Sequence, residues 1–594
     1  MKELAVLNKY FVKYRWHLLL GILFVSASNY FRVLQPIMIR EALDLVVDNI
    51  SYFYLFKGFE LQDDLFQVLG QTLLLFGVLV LILALLMGVF MYFMRQTIIV
   101  MSRLVEYDMR KEMFAHYEKL SLAFYKRNKT GDLMARISED VSKVRMYLGP
   151  AVLYGINLVT LFVFVIYSMI SVSPLLSFYS LAPLPFLSLS IYYVSHIINK
   201  RSTVIQTQLS KLNSNAQEVY AGIRVVKSYV QEEPMTQFFR QESEDYKDKA
   251  LRLVQVESLF HPIMLLLIGA STIITVYIGG LLAVKGEITA GNIAEFVIYV
   301  NMLTWPVTAT GWIASIIQQA AASQKRINEF LQLQPEISSQ VEKEDTPLSG
   351  QIVLKNVNFV YPDTGIKALE GVSFTLNPGQ KMAIIGRTGS GKTTIADLLV
   401  RMYDVSSGQI ELDGKDIRQH DLNKLRRRIG YVPQDVFLFS DTISQNIAFG
   451  RRDASQDEIE TFARHAAVYD DIVGLPKGFN TLVGERGVTL SGGQKQRVSI
   501  ARALIKQPDI VILDDCLSAV DTNTEKQILG YFTSALADKT AIIITHRIYS
   551  LLQFDKIIVM DEGRIVEEGT HEELILHKGY YFDLYEKQTM EEEA

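Results

Sequence analysis

Apolar positions are unevenly spread along this chain. Six stretches, near 17–38, 68–94, 149–171, 174–195, 259–284 and 291–313, are predominantly apolar over the roughly 20 residues that a helix needs to cross the hydrocarbon of a bilayer. From Gln351 onward, short apolar runs alternate with charged and glycine-containing segments, the pattern of an α/β domain. Between the two halves, the helical pattern persists to Leu333 and is then interrupted by Pro335, Pro347 and mixed charges. The predicted architecture is an all-α six-helix transmembrane domain over 1–333, a linker over 334–350, and an α/β domain over 351–594.

Six spans put both termini on one side of the membrane. The segments 95–147 and 196–258 are rich in Lys and Arg, whereas the alternate loops are short or poor in basic residues: Lys57 stands against Glu60, Asp63 and Asp64, and Lys285 against Glu287. The positive-inside tendency therefore places the two basic segments and both termini in the cytoplasm, as in a multi-pass protein of the inner, cytoplasmic membrane. Both segments are too long for simple turns and contain few glycines or prolines, which predicts long cytoplasmic helical extensions reversing near Ser121–Lys126 and Ala221–Glu232. Solvated hairpins are the alternative.

Composition narrows the classes further. A length of 594 residues exceeds one ordinary domain, and a formal net charge of -5 gives no reason to expect a nucleic-acid partner. The single cysteine, Cys516, excludes an intramolecular disulfide framework and reads as a small buried filler. Met1–Arg15 is basic, but the apolar run after it continues past any small-residue cleavage site, so the first span is expected to stay as an anchor.

The most specific chemistry lies in Gly386-Arg387-Thr388-Gly389-Ser390-Gly391-Lys392-Thr393, a complete phosphate-loop pattern followed by Thr394. Lys381–Ile385 reads as a buried strand and Thr394–Arg401 as a helix, the strand-loop-helix context that the motif requires. Glycines let successive backbone N–H groups face phosphates, and the helix N-terminus adds a favourable dipole. Lys392 is placed to reach the β- and γ-phosphates of ATP, and the Thr393 hydroxyl to coordinate Mg2+. Downstream, the apolar run Ile510–Leu513 ends in Asp514 and Asp515, and a carboxylate at such a strand end is suited to holding the metal through water.

Between these motifs stands Leu490-Ser491-Gly492-Gly493-Gln494, followed by Lys495-Gln496-Arg497, and here the chain resembles the ATP-binding cassette (ABC) transporter family. The resemblance implies that Ser491, Gly492, Gly493 and Gln494 contact ATP held by the opposite subunit of a dimer. It further implies adenine stacking for Tyr361, magnesium sensing for Gln434, γ-phosphate contact for His546, and a linking loop at Asp521. The segment Thr481–Gly487 is similar to one by which exporters contact their intracellular helices, and Gly222–Ser228 to the second intracellular loop of such exporters. Membrane half first and cassette second in one chain is the arrangement of bacterial half-size exporters, of the multidrug and lipid type.

The function so implied is ATP-driven export of a hydrophobic or amphipathic substrate, drug-like or lipid, by alternating access in a dimer with a second half-transporter. An ATP-gated channel or regulatory membrane protein on the same scaffold is the alternative. A soluble mechanical ATPase of the DNA-repair type is opposed by the six spans. One position departs from the family: Asp515 stands where most cassettes carry a glutamate that polarises the attacking water. The departure implies slow hydrolysis at this chain's own site and a heterodimer, with a homodimer still open. Within the spans, Arg32 could face a cavity, a partner helix or an interface, and Tyr167, Tyr299 and Trp305 could line a cavity or serve as packing and interfacial anchors.

Overall fold

The computed structural model describes residues 2–59, 61–339, 347–484, 489–518, 522–535, 538–546 and 554–593. The chain forms two compact units, Met1–His116 with Gly131–Leu333, and Tyr117–Thr130 with Gln334–Ala594. The first is helical. Its long elements are α1 (Arg15–Leu55) and α2 (Leu61–Tyr117); a short α3 (Leu122–Arg127) belongs to the other unit. Then come α4 (Thr130–Val172), α5 (Pro174–Ala221), the short α6 (Ile223–Ser228), α7 (Glu232–Val284) and α8 (Ala290–Leu331). The 57 residues of α2 correspond to roughly 85 Å of helix at 1.5 Å per residue, far more than the ~30 Å hydrocarbon core.

Five of these helices, α1, α2, α4, α5 and α7, are long and apolar enough to cross a membrane. The segment 291–313 lies in α8, which is long enough but carries Asn301, Thr304 and Thr310 among its apolar residues. These side chains donate to carbonyls of their own helix, Asn301 to Val297 at 2.8 Å, Thr304 to Val300 at 3.2 Å and Thr310 to Pro306 at 3.1 Å. Helix α8 packs against α1, α4 and α7 and buries Phe296, Tyr299, Val300 and Leu303 completely, so less of its surface needs to match lipid. By contrast α2 leaves Leu74, Leu75, Leu81 and Leu85 exposed, a face for hydrocarbon.

Polar groups inside this unit are paired across helices, as an apolar surrounding demands. Ser271 Oγ donates to the Ser180 carbonyl at 2.5 Å and Thr275 Oγ1 to Ser180 Oγ at 2.8 Å. Tyr299 Oη donates to the Val33 carbonyl at 3.2 Å, so this aromatic packs within the protein; Trp305 lies edge-on to Tyr154 at 5.3 Å and Tyr167 is exposed. Arg32 is half-buried on α1. Glu295, in α8, is almost wholly buried and receives an N–H from Arg40 at 3.2 Å and one from Asn292 at 3.4 Å.

The second unit is α/β. One sheet is antiparallel in the order β2-β1-β4-β5 (β1, Ile352–Val360; β2, Lys367–Leu376; β4, Ser407–Leu412; β5, Lys415–Asp416). The other runs β10-β9-β3-β8-β7-β6, with β3 (Lys381–Gly386), β6 (Ile429–Val432), β7 (Ile510–Asp514), β8 (Thr540–Ile544) and β9 (Lys556–Asp561) parallel and β10 (Arg564–Gly569) an antiparallel edge. Every residue of β7 and β8 is buried, which accounts for their unbroken apolar runs. Ala123 of α3 is fully buried in the same core as Ile352, Leu369 and Ile395, so the first reversal of the chain folds with this unit although its sequence lies within the helical half. The second reversal, α6 and its flanks, leaves Tyr220, Val225, Tyr229 and Val230 exposed.

Breaking a buried ion pair by removing one member leaves a stranded charge and costs on the order of 3 kcal/mol. Arg40→Ala is therefore expected to lower the thermal transition of the detergent-solubilised protein, and adding Glu295→Gln to restore most of the loss. Equal transitions for the single and double variants would contradict the pairing.

Candidate nucleotide site

The parallel sheet explains why residues scattered over 160 positions meet. Its strands end side by side, and the crevice beyond their carboxyl ends is where such folds bind ligands. From β3 emerges the phosphate loop; β7 ends in Asp514, followed by Asp515; β8 is followed by Thr545 and His546; β6 leads to Gln434. Neighbouring strands are in register there, with Asp514 opposite Ile544, Ile384 opposite Ile544 and Leu513 opposite Val432. Thr545 N–H donates to the Ile384 carbonyl and Asp515 N–H to that of Ile544, at 3.2 and 2.9 Å, which pins the exits together.

Within the loop, glycine is required at two places by geometry. Gly386 has φ +148° and a Cβ there would lie 2.1 Å from the Met560 carbonyl oxygen; Gly391 has φ +98° and a Cβ would lie 2.5 Å from that of Ala368. Gly391 caps the helix α9 (Lys392–Leu399), two residues earlier than the pattern predicts. Arg387 stacks on Tyr580 at 5.5 Å. The Lys392 ammonium is buried and donates to the carbonyls of Gly386 and Arg387 at 2.8 and 2.7 Å. Burial lowers its pKa, opposed by the charges of Asp514 and Asp515.

Asp514 is buried to within 1% of its surface, and neither carboxylate oxygen has a hydrogen bond of ordinary geometry. Desolvation pushes its carboxyl up to about 6; the Thr393 hydroxyl beside it and Lys392 act in the opposite direction, Asp397 and Asp515 in the same one. A desolvated carboxylate next to a threonine hydroxyl fits a hard cation that takes oxygen ligands. Among the described residues there is no cluster of three or more His, Cys, Asp or Glu side chains able to hold a metal by themselves, so such an ion would need further oxygens from water or phosphate. Asp515 is half-buried and sits at φ +45°, in the left-handed region that aspartate tolerates better than most residues.

Other residues fall around this centre. The Tyr361 hydroxyl is 3.0 Å from Thr394 Oγ1, which is thereby occupied within the protein and buried. The Tyr361 ring lies edge-on to Phe359 and Tyr403 at 4.9 and 5.5 Å. Gln434 and His546 are exposed at their strand exits. Ser491 caps the helix α10 (Gly492–Leu504) through a reciprocal capping box with Gln494, at 3.3 and 3.0 Å. Ser491 and Gly492 are exposed, and Leu490 and Val498 pack in a different core from Ile395 of the phosphate-loop helix. Thr481 and Val483 are tied by backbone hydrogen bonds to Ile443 and Asp441, at 3.1 and 2.8 Å, whereas Glu485–Gly487 and Asp521 lie outside the described residues. Cys516 is buried in the apolar core, and burial raises its thiol pKa, as a filler role requires.

Motif reading missed a cluster behind the loop. Lys126 of α3 holds its ammonium 5.1 Å from the centre of the Tyr361 ring and 5.5 Å from that of Tyr403, and Tyr431 Oη donates to Asp397 Oδ1 at 3.3 Å. Burial raises the Asp397 carboxyl, with Lys126 and Tyr431 opposing. The only sequence signal was a lysine at the tip of a helical reversal, and nothing local says which aromatic it will meet.

Fold and site together define a membrane-spanning protein with a phosphate-loop nucleotide domain. Comparison with known proteins gives the family: residues 18–307 match the family model described as the ABC transporter transmembrane region and residues 369–518 the one described as ABC transporter. The chain belongs to the ABC transporter family, and the relatives it matches include multidrug-type exporters and lipid A flippases. It is 35% identical to the Bacillus subtilis "Probable multidrug resistance ABC transporter ATP-binding/permease protein YheI", over 99% of this chain and 98% of that one. It is also 35% identical to the "ATP-dependent lipid A-core flippase" of Syntrophus aciditrophicus, over 82% and 81%. A solved bacterial Atm1-family ABC exporter with ATP bound superimposes with a TM-score of 0.77 at 26% identity, over 98% of this chain and 99% of that one.

A carboxyl whose pKa is raised on folding costs nothing below its ordinary 3.8, destabilises increasingly as pH climbs toward about 6, and exacts the full cost above that. Asp514→Asn should therefore raise the thermal stability of the nucleotide-free protein by roughly 2–3 kcal/mol at neutral pH and by almost nothing near pH 4. Calorimetry at the two pH values checks this; a gain of equal size at both would refute the desolvated-carboxylate reading.

Proposed function

We propose that the chain is one half of a dimeric exporter of the inner membrane, with both termini and the cassette in the cytoplasm, which moves a hydrophobic or amphipathic molecule by alternating access. The observation that carries the reading is the complete nucleotide cradle, Gly386–Thr394 with Asp514 and His546 at adjoining strand exits, in the same chain as the membrane helices. ATP binding drives such a cycle only through a difference in affinity between open and closed states. A site that is costly to keep empty supplies a basis for that difference.

In this reading Tyr361 stacks on adenine, the loop N–H groups and Lys392 take the phosphates, and Thr393, Asp514 and Gln434 hold magnesium, directly or through water. When bound, the ion supplies neutralisation of the β- and γ-phosphate charge. His546 contacts the γ-phosphate, and Asp515 orients the attacking water. Ser491 and Gly492, exposed at their helix N-terminus, complete the nucleotide site of a second half-transporter together with the half-buried Gly493 and Gln494. The exposed aromatic and aliphatic side chains around α6 are suited to docking on that subunit as well.

Aspartate is one methylene shorter than glutamate. Its carboxylate falls about 1 Å short of the water, and a displacement of that size costs roughly 100-fold in rate. The pairing proposed is thus a heterodimer, one slow site here and one fast site formed by this chain's Ser491 with a partner's glutamate.

The chain alone should hydrolyse ATP slowly, Asp515→Glu should accelerate it by one to two orders of magnitude, and Lys392→Ala should abolish ATP-supported transport in inside-out vesicles. Rapid hydrolysis by the chain alone, unimproved by Asp515→Glu, would refute the slow site; transport unaffected by Lys392→Ala would refute the nucleotide assignment.

A further inference from the structure

Helix α11 (Tyr580–Glu593) begins beside the phosphate loop, and its start is fixed from two sides. The Glu567 carboxylate, on the edge strand β10, accepts the backbone N–H of Tyr580 at 2.6 Å and that of Tyr581 at 2.9 Å. A negative charge there also complements the partial positive charge of the helix N-terminus. Gly579 leaves room for it, because a Cβ at that position would lie 1.9 Å from Glu567 Oε1. Tyr581 is completely buried with Ala383 and Ile385 of β3, and its hydroxyl is 2.7 Å from His571 Nδ1. Ile385 immediately precedes Gly386, so the contact that seats the helix also seats the strand from which the loop emerges.

With both ends fixed, the Tyr580 ring meets Arg387, whose guanidinium carbon lies 5.5 Å from the ring centre, within the range of a cation–π contact. Arg387 serves the loop in two ways. Its carbonyl accepts the Lys392 ammonium at 2.7 Å and the Ser390 N–H at 3.2 Å, and so belongs to the inner side of the curl. Its side chain is exposed and lies against α11. The Tyr580 hydroxyl takes no part, being buried without a hydrogen-bond partner among the described residues. What holds Arg387 is the aromatic face.

The loop needs an outside hold. Gly386, Gly389 and Gly391 have φ of +148°, +84° and +98°, and glycine leaves a backbone many other conformations unless something restricts it. In the empty site the Lys392 ammonium restricts it, by bonding the carbonyls of Gly386 and Arg387. That hold slackens when the ammonium turns to phosphate oxygens, because its few N–H donors are then shared. A contact on the outside of the loop is untouched by the exchange.

From this geometry we infer that α11 is a clamp on the phosphate loop, in which Tyr580 is a positioning residue that acts through Arg387 to keep the loop curled for phosphate while Lys392 changes partners. The inference rests on the assignment of ATP to this loop. Holding a loop in its bound shape raises affinity by removing the ordering cost from the binding step. The gain cannot exceed the free energy of the contact that does the holding, which for an exposed cation–π pair corresponds to about fivefold in affinity.

Equilibrium binding of radiolabelled ATP with Mg2+ to the purified full-length protein tests the clamp. Tyr580→Leu should weaken binding about fivefold, while Tyr580→Phe, which keeps the ring and loses only an unpartnered hydroxyl, should bind as the wild type does. Arg387→Gln should weaken binding at least as much as Tyr580→Leu, and the double variant no further than Arg387→Gln alone, because both changes remove one contact. Unchanged affinity in Tyr580→Leu would overturn the clamp. So would a loss in Tyr580→Phe equal to that in Tyr580→Leu, or a loss in the double variant equal to the product of the single losses, as a merely structural tyrosine gives. Lys392→Ala in the same assay keeps the two readings apart. Weakened binding there with wild-type binding in Tyr580→Leu sinks the clamp alone, whereas wild-type binding in Lys392→Ala counts against the nucleotide assignment itself.

Discussion

A buried carboxylate without a hydrogen bond is the constraint on which the nucleotide domain turns. Asp514 ends a strand whose every residue is buried, so it cannot turn outward to water without unpairing β7 from β6 and β8. Its cost is part of the folded state and is partly offset by Lys392, whose ammonium is itself buried and bonded to loop carbonyls. Gly386 and Gly391 let the loop lie against the Met560 and Ala368 carbonyls, where no Cβ would fit. Phosphate with a hard cation satisfies both charges at once, which is how a static fold can favour a ligand-bound state by several kcal/mol without any dedicated metal cage.

The helical unit follows the same electrostatic rule, within its spans and in the extensions beyond them. Glu295 has its arginine and asparagine, Asp140 its Ser323 hydroxyl at 2.8 Å together with Arg326, and Ser180 its two hydroxyl partners from α7. Each joins helices distant in sequence, so these polar contacts help specify which helix faces which, where apolar side chains alone are indifferent to lipid or neighbour. The polar side chains Asn301, Thr304 and Thr310 of α8 are satisfied more locally, each donating to a carbonyl four residues back in its own helix.

Between the two rules lies α3. It belongs by sequence to the helical half, yet Ala123 is buried in the nucleotide domain's core and Lys126 lies against Tyr361. A side chain from the reversal of a membrane helix thus reaches the aromatic that the family resemblance assigns to adenine. Residues 117–130 fold as part of the nucleotide unit although they interrupt the helical half in sequence.

Much of this was legible in the residues themselves. The apolar spans, the phosphate loop, the strand-end acid pair and the LSGGQ segment are local patterns, and each depends on backbone periodicity or on a contiguous loop that must curl in one way. Family membership follows from them. The substitution at Asp515 is likewise a matter of one side chain's length. What only the tertiary structure decided is everything that joins distant segments: the register that sets Asp514 beside the exits of β6 and β8, the occupation of Thr394 by Tyr361, the pairing of Arg40 on α1 with Glu295 on α8, and the bond from Arg201 on α5 to the Arg252 carbonyl on α7. A sequence records which charges exist and how they recur along an element. It does not record which of them will be buried together, because desolvation and Coulomb energy depend on distances between elements, and those are set only when the whole chain has packed.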